Sequence, residues 1–194
     1  MSDYTVVADV GDSIVSVLWE EIQADPQVAP LFPGQAAISL ESPAELQTNN
    51  AVRLSIYLYR VVEDATMKNQ FPVPGNGGRL RKPPLTLDLF YLITPMVGAP
   101  REQHIVLGKV MQVLYERSIL EGADLQGSLS VGTEPVRVIL NPVTLEETTR
   151  VWQALETSYR LSVCYVVRVA LVDSLRETST QRVLDSTARY GERG

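Results

Sequence analysis

Cysteine and histidine each occur only once in these 194 residues, and that scarcity removes much of the usual reactive chemistry. The single thiol, Cys164, excludes an intrachain disulfide, and folding in a reducing compartment is expected. The single histidine, His104, has no Cys, Asp or Glu at ligand spacing. Nothing near it suggests the third group that would hold a catalytic base. Basic charge is short as well: 17 Lys and Arg stand against 23 Asp and Glu, giving a net charge of −6 and a pI near 4.9. That balance argues against general nucleic-acid binding and against docking on anionic lipid. Long apolar runs are missing too. The longest, around Leu161 to Val172, is broken by Ser162 and Arg168, so no direct membrane insertion is expected. The first ten residues, MSDYTVVADV, carry no basic n-region and no long apolar stretch, and no secretory signal is expected. No internal repeat is visible.

What is present is ordinary globular material, 45% hydrophobic and 21% charged, in a chain long enough to bury a core. One domain over residues 1–174 is expected, followed by a charged, Ser/Thr-rich extension over 175–194. Val7, Val10, Ile14, Leu18 and Ile22 recur at the spacing of one helical face, so residues 3–24 read as a helix, with Ser2 or Asp3 as its cap. A short strand is expected over 36–41. Residues 51–62 (AVRLSIYLYRVV) read as a strand with two apolar faces, and that places it centrally in the sheet. Tyr57, Tyr59 and Val61 are expected on one face, and Val52, Leu54, Ile56 and Leu58 on the other. Residues 63–82 read as a long loop, 84–94 as a strand, and 100–118 as a helix opened by Pro100. A loop over 119–134 precedes a strand at 136–140. Thr144 and Glu147 form a capping box for a helix burying Leu145, Trp152 and Leu155. Residues 159–173 alternate as the longest strand. The fold class is therefore α/β (α+β): a mixed, mostly antiparallel sheet flanked by about three helices.

Candidate chemistry is sparse. Cys164 lies inside an apolar strand, where a thiol behaves as a small hydrophobe. Gly75-Asn76-Gly77-Gly78 followed by Arg79, Arg81 and Lys82 superficially suggests a phosphate cradle, but the glycines precede a double proline and a strand instead of a helix. A flexible basic loop, able to dock an acidic partner, is the better reading. Glu20-Glu21 and Glu146-Glu147 read as solvated faces or caps. Arg60, Asp88 and Arg168 interrupt apolar strands and could pair across the sheet or meet a neighbouring subunit. The tyrosines, among them Tyr57, Tyr59, Tyr91 and Tyr165, suit a core or an interface.

Several segments together carry a resemblance: LYLYRVVEDATMKN at 58–69, RKPPLTLDLFYLIT at 81–94, HIVLGKVMQVLYERSIL at 104–120, and the run from Val136 to Ser174 with Leu-Glu-Glu, Trp152 and YRLSVCYVV. In order and character they resemble the cap, or tail-terminator, family of contractile injection systems. The resemblance covers nearly the whole chain to about Ser174. It implies a phage tail-terminator-like fold and a non-enzymatic protein without cofactors. It implies partners as well: other copies in a homo-hexameric ring, the sheath protein and the inner tube protein, with no nucleic acid. The ring would sit on the baseplate-distal end and end polymerisation. Arg79, Arg81 and Lys82 in the 63–82 loop, and Arg176, Arg182 and Arg189 in the tail, are the candidate partner-binding residues. Assembly is expected in the cytoplasm, in a particle later released or docked by other components. Two alternatives remain: another structural adaptor or assembly factor of the same particle, and a small enzyme or ligand-binding domain using His104 and Cys164. Some members of the family carry longer C-terminal extensions.

Overall fold

Apolar residues spaced three and four apart make the first helix, α1 (Val6–Ala24), and its stripe of Val6, Val10, Ile14, Val17, Leu18 and Ile22 is fully buried. Each such side chain contributes roughly 1.5–3 kcal/mol relative to exposure. The computed structural model describes residues 4–64, 73–74, 79–81, 84–132, 134–172 and 177–179. Thr5 occupies the N-cap position of α1; Ser2 and Asp3, the expected caps, lie outside the described residues.

After α1 come β1 (Ile38–Ser39), β2 (Leu54–Glu63), β3 (Val73–Pro74), β4 (Arg79–Arg81), β5 (Leu85–Pro95), α2 (Pro100–Glu116), β6 (Ile119–Leu120), β7 (Val136–Leu140), α3 (Leu145–Ala154), β8 (Val163–Val172) and β9 (Glu177–Ser179). The main sheet has six strands in the order β1-β2-β5-β8-β7-β6, and β3-β4-β9 form a separate small sheet. Among the described residues, only β1 runs parallel to its neighbour. The mixed, mostly antiparallel sheet with three helices is the expected fold class.

Several local expectations are corrected. The strand at 36–41 shrinks to Ile38–Ser39 behind a 3-10 turn at Gln35–Ala37, and residues 159–162 stay outside β8. The 63–82 segment contains β3 and β4 instead of being all loop. The strand at 51–62 is not central: β5 and β8 are, while β1 pairs with β2 only at Leu54 and Ser55. Coverage of a strand's two faces does not decide its lateral neighbours, which is why apolar faces misplaced it. A bulge between Leu58 and Arg60 also breaks the expected alternation. Val61 consequently falls opposite Leu89, on the other face from Tyr57.

One face of the sheet carries Leu54, Ile56, Leu89, Tyr91, Ile93, Val138, Tyr165, Val167 and Val169 against α1 and α2, forming the main core. The opposite face packs Leu92 and Cys164 against Trp152 of α3 in a smaller cluster. The Thr144–Glu147 capping box forms as expected, with the Glu147 carboxylate accepting from the Thr144 N–H at 2.8 Å and the Thr144 hydroxyl accepting from the Glu147 N–H at 3.2 Å. Leu145 is exposed, because α3 turns its Thr148–Trp152 side to the sheet.

Polar ties fix the helices. Arg117, the C-cap residue of α2, donates to Glu20 at 3.1 Å, Glu21 at 2.6 Å and Asp124 at 2.9 Å. Lys109 meets Asp25 at 3.2 Å. Asp9 accepts hydrogen bonds from Thr5 and from both the N–H and the hydroxyl of Ser128, pinning the 3-10 turn Gly127–Val131 onto α1.

Candidate functional site

The structure reaches the sequence-predicted residues unevenly. Arg79 and Arg81 sit on β4, where they fall opposite Ser179 and Glu177 of β9. Residues 79–81 of the loop and 177–179 of the tail therefore pair in one small sheet. Lys82, Arg176, Arg182 and Arg189 lie outside the described residues. His104 is exposed on α2. Cys164 is buried in β8, and burial raises its thiol pKa despite a hydrogen bond with Tyr59. Such a thiol is poorly nucleophilic. Among the described residues, no three His, Cys, Asp or Glu side chains could hold a metal ion. No helix of the described residues is long and apolar enough to cross a membrane.

The most developed surface is the sheet face that α3 covers only in part. Strand register lays out its rows. Tyr57, Leu92 and Cys164 form the row under α3; Arg60, Phe90, Val166 and Ile139 form the next; Val62, Asp88, Arg168 and Arg137 the one after. The bulge in β2 places Tyr59 and Arg60, consecutive residues, against the same Phe90. The Tyr59 ring meets Phe90 edge-on at 6.2 Å, and the Arg60 guanidinium lies 5.0 Å from the Phe90 ring centre. Beside α3 these residues line a groove of about 610 Å³, with Glu147, Thr148 and Val151 on its helical wall. Burial, together with the nearby Cys164, pushes the Tyr59 hydroxyl up to about 12, so it is a neutral hydrogen-bonding group at any ordinary pH.

The strand charges now separate. Arg168 pairs across the sheet with Asp88 at 2.9 Å and approaches Asp64 at 3.4 Å, and these hydrogen-bonded charges raise its pKa further. Arg60 stacks on Phe90 instead. Arg60 shows in the sequence as an interruption of an apolar strand, but nothing there signals its stacking, because the bulge that aims it is a tertiary feature.

A second exposed region follows the outer edge of β7. There β6 pairs only with Val136 and Arg137, and Val138 N–H donates to the Ser118 carbonyl at 2.8 Å. Beyond that point Ile139 and Leu140 are exposed beside Tyr115, over a mainly apolar groove that reaches Met111 and Tyr165. Unpaired edges of this kind are material for strand-to-strand association.

Two solved structures share this architecture. One is the cryo-EM structure of the sheath/tube terminator of an extracellular contractile injection system, PVC, in the extended state. It matches with a TM-score of 0.61 and 22% identity over 99% of this chain. The other is the cryo-EM structure of the anti-feeding prophage cap, a tube-terminating cap, with a TM-score of 0.58 and 21% identity over 93% of this chain. This chain spans 66% of the first and 61% of the second. No curated protein matches it. The family model described as the Pvc16 N-terminal domain matches residues 9–186, nearly the whole sequence, and the chain belongs to that family.

Proposed function

We propose that this chain ends the tail of a contractile injection particle. It forms a six-membered ring on the baseplate-distal end, binds the last rings of tube and sheath, and stops both from growing. The observation that carries the reading is the family match over residues 9–186. The fold it shares with a sheath/tube terminator and a tube-terminating cap supports it. The role needs binding surface and no reactive group. The polar clusters serve structure accordingly: Asp9 holds a turn, Arg117 ties two helices together, and Arg168 bridges strands. A closed ring uses head-to-tail contacts, and the unpaired outer edge of β7, with Ile139 and Leu140 exposed, is a surface that suits such a contact. The small β3-β4-β9 sheet brings Arg79 and Arg81 together with the start of the tail. We place partner contacts there, and we propose Lys82, Arg176, Arg182 and Arg189 as further partner-binding residues.

The test is removal of the chain from the producing cell. Particles then show a broad spread of tail lengths, or sheaths that contract or shed spontaneously. Stable particles of uniform length would overturn the reading.

A further inference from the structure

We propose that the half-covered sheet face is a docking site for an acidic segment of a different protein, one that carries apolar residues between its carboxylates. The row Arg60–Phe90–Val166–Ile139 crosses four strands, and Arg137 adjoins its far end. With three strand spacings of about 4.8 Å between β2 and β7, and a two-residue step of about 6.8 Å along β7, the two arginines stand about 16 Å apart. Among the described residues no carboxylate pairs with either of them; Arg60 has only its contact with Phe90. The neighbouring carboxylates are already engaged. Asp88 is held by Arg168, and Glu147 is locked in the Thr144 capping box. The face therefore presents a strip of exposed or half-exposed apolar side chains with an unneutralised cation at each end, on a chain whose net charge is −6. An arginine already stacked on a ring loses little further freedom when it pairs with a carboxylate.

Charge complementarity selects the occupant. The chain's own C-terminal segment is a poor match, because Arg176, Arg182, Arg189 and Arg193 outnumber Glu177, Asp185 and Glu192 there. A basic or neutral partner would leave both arginines unpaired at the edge of a buried apolar patch. The inference stands whether or not the chain caps a tail, since it rests on this face alone.

The test is fluorescence anisotropy of the full chain with a labelled 14-residue peptide of leucine, phenylalanine and glutamate. The same peptide with glutamine for glutamate, and with lysine for glutamate, completes the set. The acidic peptide binds tightest and the lysine peptide not at all. Reversing both charges (R60E with R137E) weakens the acidic peptide about tenfold or more, since two attractions become repulsions. The neutral pair, R60Q with R137Q, falls between. Both arginines are at the surface, and circular dichroism checks that each variant is folded. Equal binding of the acidic and glutamine peptides, or no response to the double reversal, would overturn the proposal. So would self-association of the chain alone that the same reversal abolishes, because the occupant would then be a second copy.

Discussion

Asp9 and Ser128 are 119 residues apart in sequence, yet the Asp9 carboxylate accepts the Ser128 N–H at 2.9 Å and its hydroxyl at 2.5 Å. Thr5 donates to the same oxygen at 2.9 Å, and the Ser13 hydroxyl accepts the Gln126 N–H at 2.9 Å one turn along α1. The first helix thus holds the turn that follows β6 through charge-assisted bonds as well as apolar packing. Replacing Asp9 with Ala is expected to cost about 1.5–3 kcal/mol. Thermal unfolding followed by circular dichroism checks it, with a fall in Tm of several degrees expected.

The same carboxylate makes stability depend on pH. Burial pushes the Asp9 carboxyl up, but the bonds from Ser128 and Thr5 together outweigh it and hold it below its ordinary value. A group whose pKa is depressed by folding stabilises fully above the unfolded value and loses that contribution as pH falls through the folded one. The wild-type Tm is therefore expected to drop as pH is lowered below about 4. The Asp9→Asn variant should show a shallower drop over that range, and matched melts in a pH series measure the difference.

Gly127 stands against Asp9 with φ 57°, and a Cβ there would overlap the carboxylate. Gly122 has nearly the same φ, 56°, but open space around it. Gly122→Ala is expected to cost about 1–2 kcal/mol, the left-handed backbone penalty alone. Gly127→Ala is expected to cost clearly more, because the Asp9 contact must also break. Chemical denaturation of the two variants side by side gives the comparison.

Trp152 anchors α3 over Leu92 and Cys164. Trp152→Ala is expected to cost about 3–5 kcal/mol and to loosen the helix from the sheet. Thr144→Ala removes only the cap, at about 1 kcal/mol. The reaction of Cys164 with a thiol reagent separates them: slow in the wild type and T144A, and much faster in W152A.

Local patterns were readable in the sequence, and long-range pairings were not. Thr144 and Glu147 announce a helix start through neighbours three residues apart, and Val136–Leu140 appears as a strand with the bounds expected. The alternation of helical and strand patterns along the chain was legible too, and it carried the fold class. The bulge at Tyr59 was not, because an extra residue in a strand shows only against its partner β5. Nor was the pairing of Glu177–Ser179 with β4, since polar, weakly alternating residues give no strand signal alone. The open half of the sheet face was hidden for a related reason. Phe90 and Val166 look like core residues until the short reach of α3 is known.

The central claim is that this chain completes the end of a polymer. Cryo-EM of intact particles carrying an affinity-labelled copy of the chain tests it most directly. A six-fold ring at the end opposite the baseplate, in contact with the last tube and sheath rings, is the expected result. Label at the baseplate, label along the tail, or particles that contain none of the chain would contradict it.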